Sequence, residues 1–151
     1  MRAADQFHAG IVVDDFEATL EQLSELFGYV WGQEIRTPVP VRLPTGEELL
    51  DMGLVYSLTL PRLEIVRSIP GTLWTAPPGS SVHHLGYWSD DIEADSARLA
   101  ENGYLNEAVG CDGDGNPYWA YHKSSTGPRI ELVSRALEPA LQGYWDTGRI
   151  G

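Results

Sequence analysis

Apolar residues along this chain alternate, then recur at helical spacing, then alternate again, and the whole order occurs twice. In "AGIVV", Ala9, Ile11 and Val13 fall on one side of an extended segment, with His8, Gly10 and Val12 on the other. In "LGYWS", Leu85 and Tyr87 oppose His84, Gly86 and Trp88 in the same way. An Asp-Asp pair follows each segment, and after the first pair Phe16, Leu20, Leu23 and Phe27 recur at the spacing of one helix face. Asp14 to Glu17 and Asp90 to Glu93 have the spacing of a capping box, and Gly28 and Gly103 are suited to end the two helices. Strand-like runs follow around 29–41, 53–60 and 62–67, and again at about 104–109, 117–123 and 129–134. The predicted order is βαβββ, twice.

The residues themselves repeat as well. "HAGIVVDDFEATLEQL" from His8 matches "HLGYWSDDIEADSARL" from His84 without a gap, aligning His8 with His84, Gly10 with Gly86, Asp14-Asp15 with Asp90-Asp91, Glu17 with Glu93 and Leu23 with Leu99. Further on, "PRLEIVRS" from Pro61 is echoed by "PRIELVSR" from Pro128. The expected organisation is one domain over 1–151, built from modules 1–74 and 81–135 joined by "TAPPGS", with a tail at 136–151. His-to-Glu separation is nine residues longer in the first module, and the Pro-rich "RTPVPVRLPTGEE" is the expected place for the extra length.

Composition narrows the function. A chain of 151 residues with 42% hydrophobic residues and no low-complexity tract reads as globular. A net charge of −12, with ten Lys and Arg in no clustered stripe, argues against a nucleic-acid partner. No apolar run approaches the length of a membrane span, and "MRAADQFHAG" lacks the apolar core of a signal peptide, so a cytoplasmic protein with no membrane partner is expected. The single cysteine, Cys111, allows no internal disulfide, and its "GCDGDGNP" setting reads as an incidental thiol in a turn.

Strand parity then places the charged residues. In "RLEIV", Leu63 and Ile65 share one face, while Arg62, Glu64 and Val66 share the other; in "RIELV", Ile130 and Leu132 oppose Arg129, Glu131 and Val133. One face can bury against the module's helix, and the other carries a His or a Glu in every case. A single histidine at a strand start is ordinarily a satisfied core or surface group, and a single strand glutamate ordinarily faces solvent. Two imidazoles and two carboxylates at matched positions of a repeat point instead to one divalent metal ion, of the Zn, Ni, Co, Mn or Fe type.

"FHAGIVVDD", "LEIV", "VHHLGYWSDDI" and "HKSSTGPRIELV", in that order and spacing, resemble the vicinal oxygen chelate superfamily, the glyoxalase, epimerase and extradiol dioxygenase group. The resemblance spans His8 to Val133 and implies an α+β fold in which two βαβββ modules form a cup-shaped mixed sheet around a metal. Ligands in the order His, Glu, His, Glu are similar to glyoxalase I and its epimerase relatives, which carries the metal to His8, Glu64, His84 and Glu131. The "VHHLGYWSDDI" and "HKSSTGPRIEL" segments look most like methylmalonyl-CoA epimerase, with His84 as ligand and His83 facing the other way. Departures exist. The epimerases often carry glutamine where Glu64 stands, and their additional catalytic glutamate has no clear match, Glu47 and Glu48 being only nearby in sequence. The glutathione-anchoring pattern of glyoxalase I is not found.

The resemblance implies a metal-dependent isomerase, epimerase or lyase that removes a proton next to a carbonyl, with Glu131 as base and Glu64 as its partner. Trp88, Arg62 and Arg129 are the candidate substrate-binding residues: Trp88 shares a face with His84, and each arginine lies two residues from a glutamate at the same parity. His122 has no counterpart in the repeat and is expected to be structural. Tyr144 and Trp145 lie in an otherwise polar tail and are expected to dock, either beside the pocket or on a neighbouring subunit. The expected partners are a small-molecule substrate and a second copy in a homodimer. Two other readings stand beside this one: an Fe(II) extradiol ring-cleaving dioxygenase, and a binding protein of the bleomycin-resistance type.

Overall fold

The computed structural model describes residues 1–79 and 81–151; Ser80, the last residue of the expected linker, lies outside them. The fold class is α+β, as expected, with eight strands and three α-helices among the described residues. In chain order they are β1 (Gln6–Val13), α1 (Phe16–Phe27), β2 (Ile35–Leu43), β3 (Gly46–Tyr56), β4 (Leu63–Arg67), β5 (His84–Ser89), α2 (Ile92–Glu101), β6 (Leu105–Cys111), β7 (Pro117–Lys123), β8 (Ile130–Ser134) and α3 (Glu138–Thr147). The βαβββ order is present twice, and α3 is an addition. No helix among the described residues is long and apolar enough to cross a membrane.

The chain gathers into two compact units that interleave along the sequence. One comprises Met1–Phe7, Pro38–Leu50 and His84–Glu138; the other comprises His8–Thr37, Asp51–His83 and Pro139–Gly151.

In the second of these units β1 pairs parallel with β4, and β4 pairs antiparallel with β3. The parity expected from the sequence holds: Ile11, Val13, Leu63 and Ile65 turn towards α1, where they pack with Phe16, Leu20, Leu23 and Val55. Burial of such side chains is the main favourable contribution to folding, about 1.5–3 kcal/mol each for the fully buried Phe16, Val55 and Ile65 and less for the partly buried rest. Arg67 closes the solvent edge of this layer by pairing with Glu17 and Glu34 and lying over the Phe16 ring at 4.0 Å.

The other unit repeats the plan. β5 pairs parallel with β8, β8 antiparallel with β7, and β7 antiparallel with β6. Ile130 and Leu132 pack with Ile92, Ala120, Leu85, Tyr87 and Leu99. Arg135 fastens the ends of the elements by pairing with Asp5, Asp90 and Glu138.

Three local expectations need correction. The helix caps are Asp15 and Asp91, whose carboxylates accept from the backbone N–H of Ala18 at 3.1 Å and Ala94 at 3.0 Å. A capping box on Asp14 and Asp90 is therefore out of register by one residue; Glu17 and Glu93 fall at the second helical position, too early to reach back to the cap. The extra length of the first module lies mostly ahead of the Pro-rich segment: from the start of the helix to the next strand, 16–34 spans 19 residues against 13 for 92–104, whereas the hairpin 35–56 is only three residues longer than 105–123. Val39 and Val41 are buried while Pro38 and Pro40 face outward, so the prolines occupy one side of a strand instead of breaking it. Finally, Cys111 is no turn thiol. It ends β6, is buried, and its Sγ accepts from Arg42 Nε at 3.1 Å.

Candidate functional site

Each module builds one half-site, and the two are constructed alike. In the first, parallel pairing of β1 and β4 starts with the Ala9 N–H donating to the Arg62 carbonyl at 3.1 Å and sets Gly10 opposite Glu64. In the second, the Leu85 N–H donates to the Arg129 carbonyl at 3.0 Å and Gly86 stands opposite Glu131. Residues opposite one another in a sheet project to the same side. A glycine beside each glutamate therefore leaves the space over the neighbouring strand open, and the carboxylate can lean across it towards the histidine one pleat earlier. His8 Nε2 lies 3.6 Å from Glu64 Oε2, and His84 Nε2 lies 3.3 Å from Glu131 Oε2.

All four side chains are withdrawn from water. His8 and Glu64 are each 2% exposed, His84 1% and Glu131 5%. This decides against the ordinary reading of a strand glutamate as a solvated surface group, because carboxylates are rarely buried without a compensating charge or ligand.

A third residue completes each half-site, and sequence reasoning missed it. Tyr56 stands opposite Glu64 in the β3–β4 register, and Tyr121 opposite Glu131 in the β7–β8 register. Their rings meet the imidazoles edge-on: His8 and Tyr56 at 5.5 Å and 75°, His84 and Tyr121 at 5.0 Å and 80°. The row glycine, glutamate, tyrosine thus crosses three strands twice. The signal was present only across strands, since Tyr56 precedes Glu64 by eight residues and Tyr121 precedes Glu131 by ten, and no gapless repeat aligns them.

The other candidate residues are placed as follows. Trp88 is buried and stacks on Phe7 with ring centroids 3.9 Å apart. Arg129 forms a two-pronged pair with Glu107, at 2.6 and 3.2 Å. Arg62 donates to the Ser57 carbonyl at 2.6 Å and lies over the Trp145 ring at 4.2 Å, and burial pulls its pKa down. Both guanidinium groups are held by protein partners. His83 Nε2 is 2.8 Å from the Leu73 carbonyl, and the His83 backbone N–H donates to the Gly10 carbonyl at 2.8 Å. His122 sits among Ser96 and Asn106, with Nε2 at 3.0 and 3.3 Å from their polar atoms. Burial pushes its pKa down. The tail docks on its own chain, with Tyr144 buried and its hydroxyl donating to the Gln33 carbonyl at 2.7 Å.

Comparison with known proteins agrees with this architecture. A methylmalonyl-CoA epimerase of Streptomyces coelicolor, a variant in complex with 2-nitronate-propionyl-CoA, matches with a TM-score of 0.60 at 18% identity, over 87% of this chain and 97% of that one. The methylmalonyl-CoA epimerase of Mycobacterium tuberculosis matches with a TM-score of 0.58 at 17% identity, over 93% and 97%. A hypothetical protein of Bacillus halodurans matches at 0.54 and 16%, over 86% and 93%. At such identities the likeness is one of fold. No curated protein matches the sequence significantly. The family model described as Glyoxalase/Bleomycin resistance protein/Dioxygenase superfamily matches residues 7–109, which is more than half of the chain. With the duplicated βαβββ order, this makes the chain a member of that superfamily, whose fold is the vicinal oxygen chelate fold.

Proposed function

We propose that the protein is a divalent-metal-dependent isomerase or epimerase that removes a proton from a carbon next to a carbonyl, with His8, Glu64, His84 and Glu131 holding the ion. The observation that carries this reading is the twofold occurrence of a buried His–Glu pair beside a glycine in identical register. These four buried side chains are all of ligand type. Two carboxylates with two neutral imidazoles bear a formal charge of −2, which a divalent cation cancels, and nitrogen and oxygen donors in this ratio suit Zn, Ni, Co, Mn or Fe. The donor set therefore fits the ion.

When bound, such an ion supplies Lewis acidity, stabilising the negative charge that grows on a carbonyl oxygen as the adjacent carbon gives up its proton. The protein supplies the rest. Glu131 takes the proton on a carboxylate oxygen, and Glu64 acts from the other module as the second proton carrier, so that a proton returns to the opposite face of the planar carbon or to its neighbour. Tyr56 and Tyr121 keep water from the acids and hold the imidazoles in orientation. Methylmalonyl-CoA is bound by one epimerase of this fold, which makes 2-carboxyacyl thioesters the first substrates to try, ahead of 2-oxo acids and hemithioacetals.

The test is Glu131→Gln. The variant should keep its fold and its bound metal content within a factor of two, while solvent deuterium incorporation into the substrate falls by at least about a hundredfold, the usual range for loss of a catalytic acid or base. Full exchange in the variant removes Glu131 from the mechanism.

A further inference from the structure

The half-site around His8 is backed by the C-terminal helix α3. Tyr56 meets His8 edge-on, and its ring also meets Tyr144 at 6.2 Å and 76° and Trp145 at 6.0 Å and 87°. Each of those α3 rings has a second anchor. Tyr144 donates to the Gln33 carbonyl and lies so close over Gly32 that a β-carbon there would collide with its hydroxyl end. Trp145 is covered by the Arg62 guanidinium, which in turn donates to the Ser57 carbonyl. Around His84 the corresponding support comes from within the sheet: Tyr121 is backed by Trp119, two residues earlier on β7, at 5.4 Å and 82°.

We propose that α3 is a positioning element for His8, acting through Trp145 and Tyr144 on Tyr56; the proposal rests on reading His8 as a metal ligand. An edge-on aromatic contact fixes ring orientation more than distance, and a ligand imidazole must present its nitrogen within a narrow cone to hold an ion. A ring backed by two others loses the freedom to swing out of line. The first half-site is thus tuned by a segment outside the duplicated architecture.

The experiment is calorimetric titration of metal-free protein with Co2+. Trp145→Ala should weaken binding about tenfold, and Trp145→Phe, which keeps a ring under Arg62, should return it to within about threefold of the parent. Asp91→Ala, which weakens a helix cap in the other unit, should leave the affinity unchanged and so controls for a loss of stability. Should Trp145→Ala not fold, Arg62→Gln loosens the same ring without deleting it and is expected to weaken binding in the same direction. Unchanged affinity in the folded variants overturns the proposal. If the parent protein binds no divalent ion, the metal reading fails by itself, and the positioning role is decided by NMR of the imidazole nitrogens. Broadened or shifted His8 ring signals in Trp145→Ala, with those of His84 unmoved, support it; two unmoved rings overturn it.

Discussion

His122 is fully buried among polar neighbours outside both half-sites, and its ionisation bears on stability. Burial lowers its pKa below the ordinary 6.5, so the unfolded chain takes up the proton more readily than the folded one. Its contribution is therefore complete above 6.5 and is lost as the pH falls towards and through the folded value. The parent protein should lose stability between pH 7 and 5 more steeply than His122→Gln, as urea denaturation at a series of pH values would show. An NMR titration placing His122 at or above 6.5 would contradict the assignment. At this scale the sequence was informative about the four half-site residues, because a charged side chain in the middle of an otherwise apolar strand, repeated at the same parity, has few structural explanations. It was silent about Tyr56 and Tyr121. Their relation to the glutamates runs across hydrogen-bonded strands, and their separations along the chain differ between the modules.

At the level of elements, the Asp-Asp pairs divide their labour. Asp91 accepts from the backbone of the first helical turn, whereas Asp90 reaches Arg135 at 2.7 Å from a largely exposed position. Asp91→Ala should cost about 0.5–2 kcal/mol, as loss of a helix cap does. Asp90→Ala should cost less than about 1 kcal/mol, as for an exposed ion pair. Comparing their urea midpoints tests which aspartate is the cap. The helices and their glycine ends were visible in the sequence because a 3.6-residue period and a residue tolerant of positive φ are local signals; Gly28 sits at φ +73°. The hairpin was visible as two strand-like runs, 29–41 and 53–60, but with its bounds misplaced: the strands are Ile35–Leu43 and Gly46–Tyr56. Proline ordinarily argues against strand, and only the outward placement of Pro38 and Pro40 reconciles the two.

For the whole molecule, a ligand that binds only the folded state raises its stability, by about 2.7 kcal/mol when free ion is a hundred times the dissociation constant. Metal-free protein should accordingly melt at a higher temperature on addition of Co2+, Ni2+ or Zn2+. Gln in place of both Glu64 and Glu131 should abolish the shift, even though a net charge of −12 attracts cations generally. An undiminished shift in the double variant would assign the effect to surface binding. The duplicated fold was legible because a gapless alignment over sixteen residues with seven identities is hard to obtain by chance. The interleaving of the compact units was not. It depends on which strand the hairpin end joins, and Val41 pairs with Gly110 of the second module.

The parallel pairing of β1 with β4, and of β5 with β8, allows no slippage. Inserting one residue ahead of Gly10 or Gly86 would carry a bulkier neighbour into the notch beside the carboxylate and turn the imidazole to the helix side. Over time, growth of this chain can thus be accommodated only away from those strands. The nine-residue difference between the modules lies away from those strands, mostly in α1 and its connection to β2 and for the rest in the arm that doubles back at Pro44-Thr45. That bend is the natural splice point for a foreign peptide or a reporter.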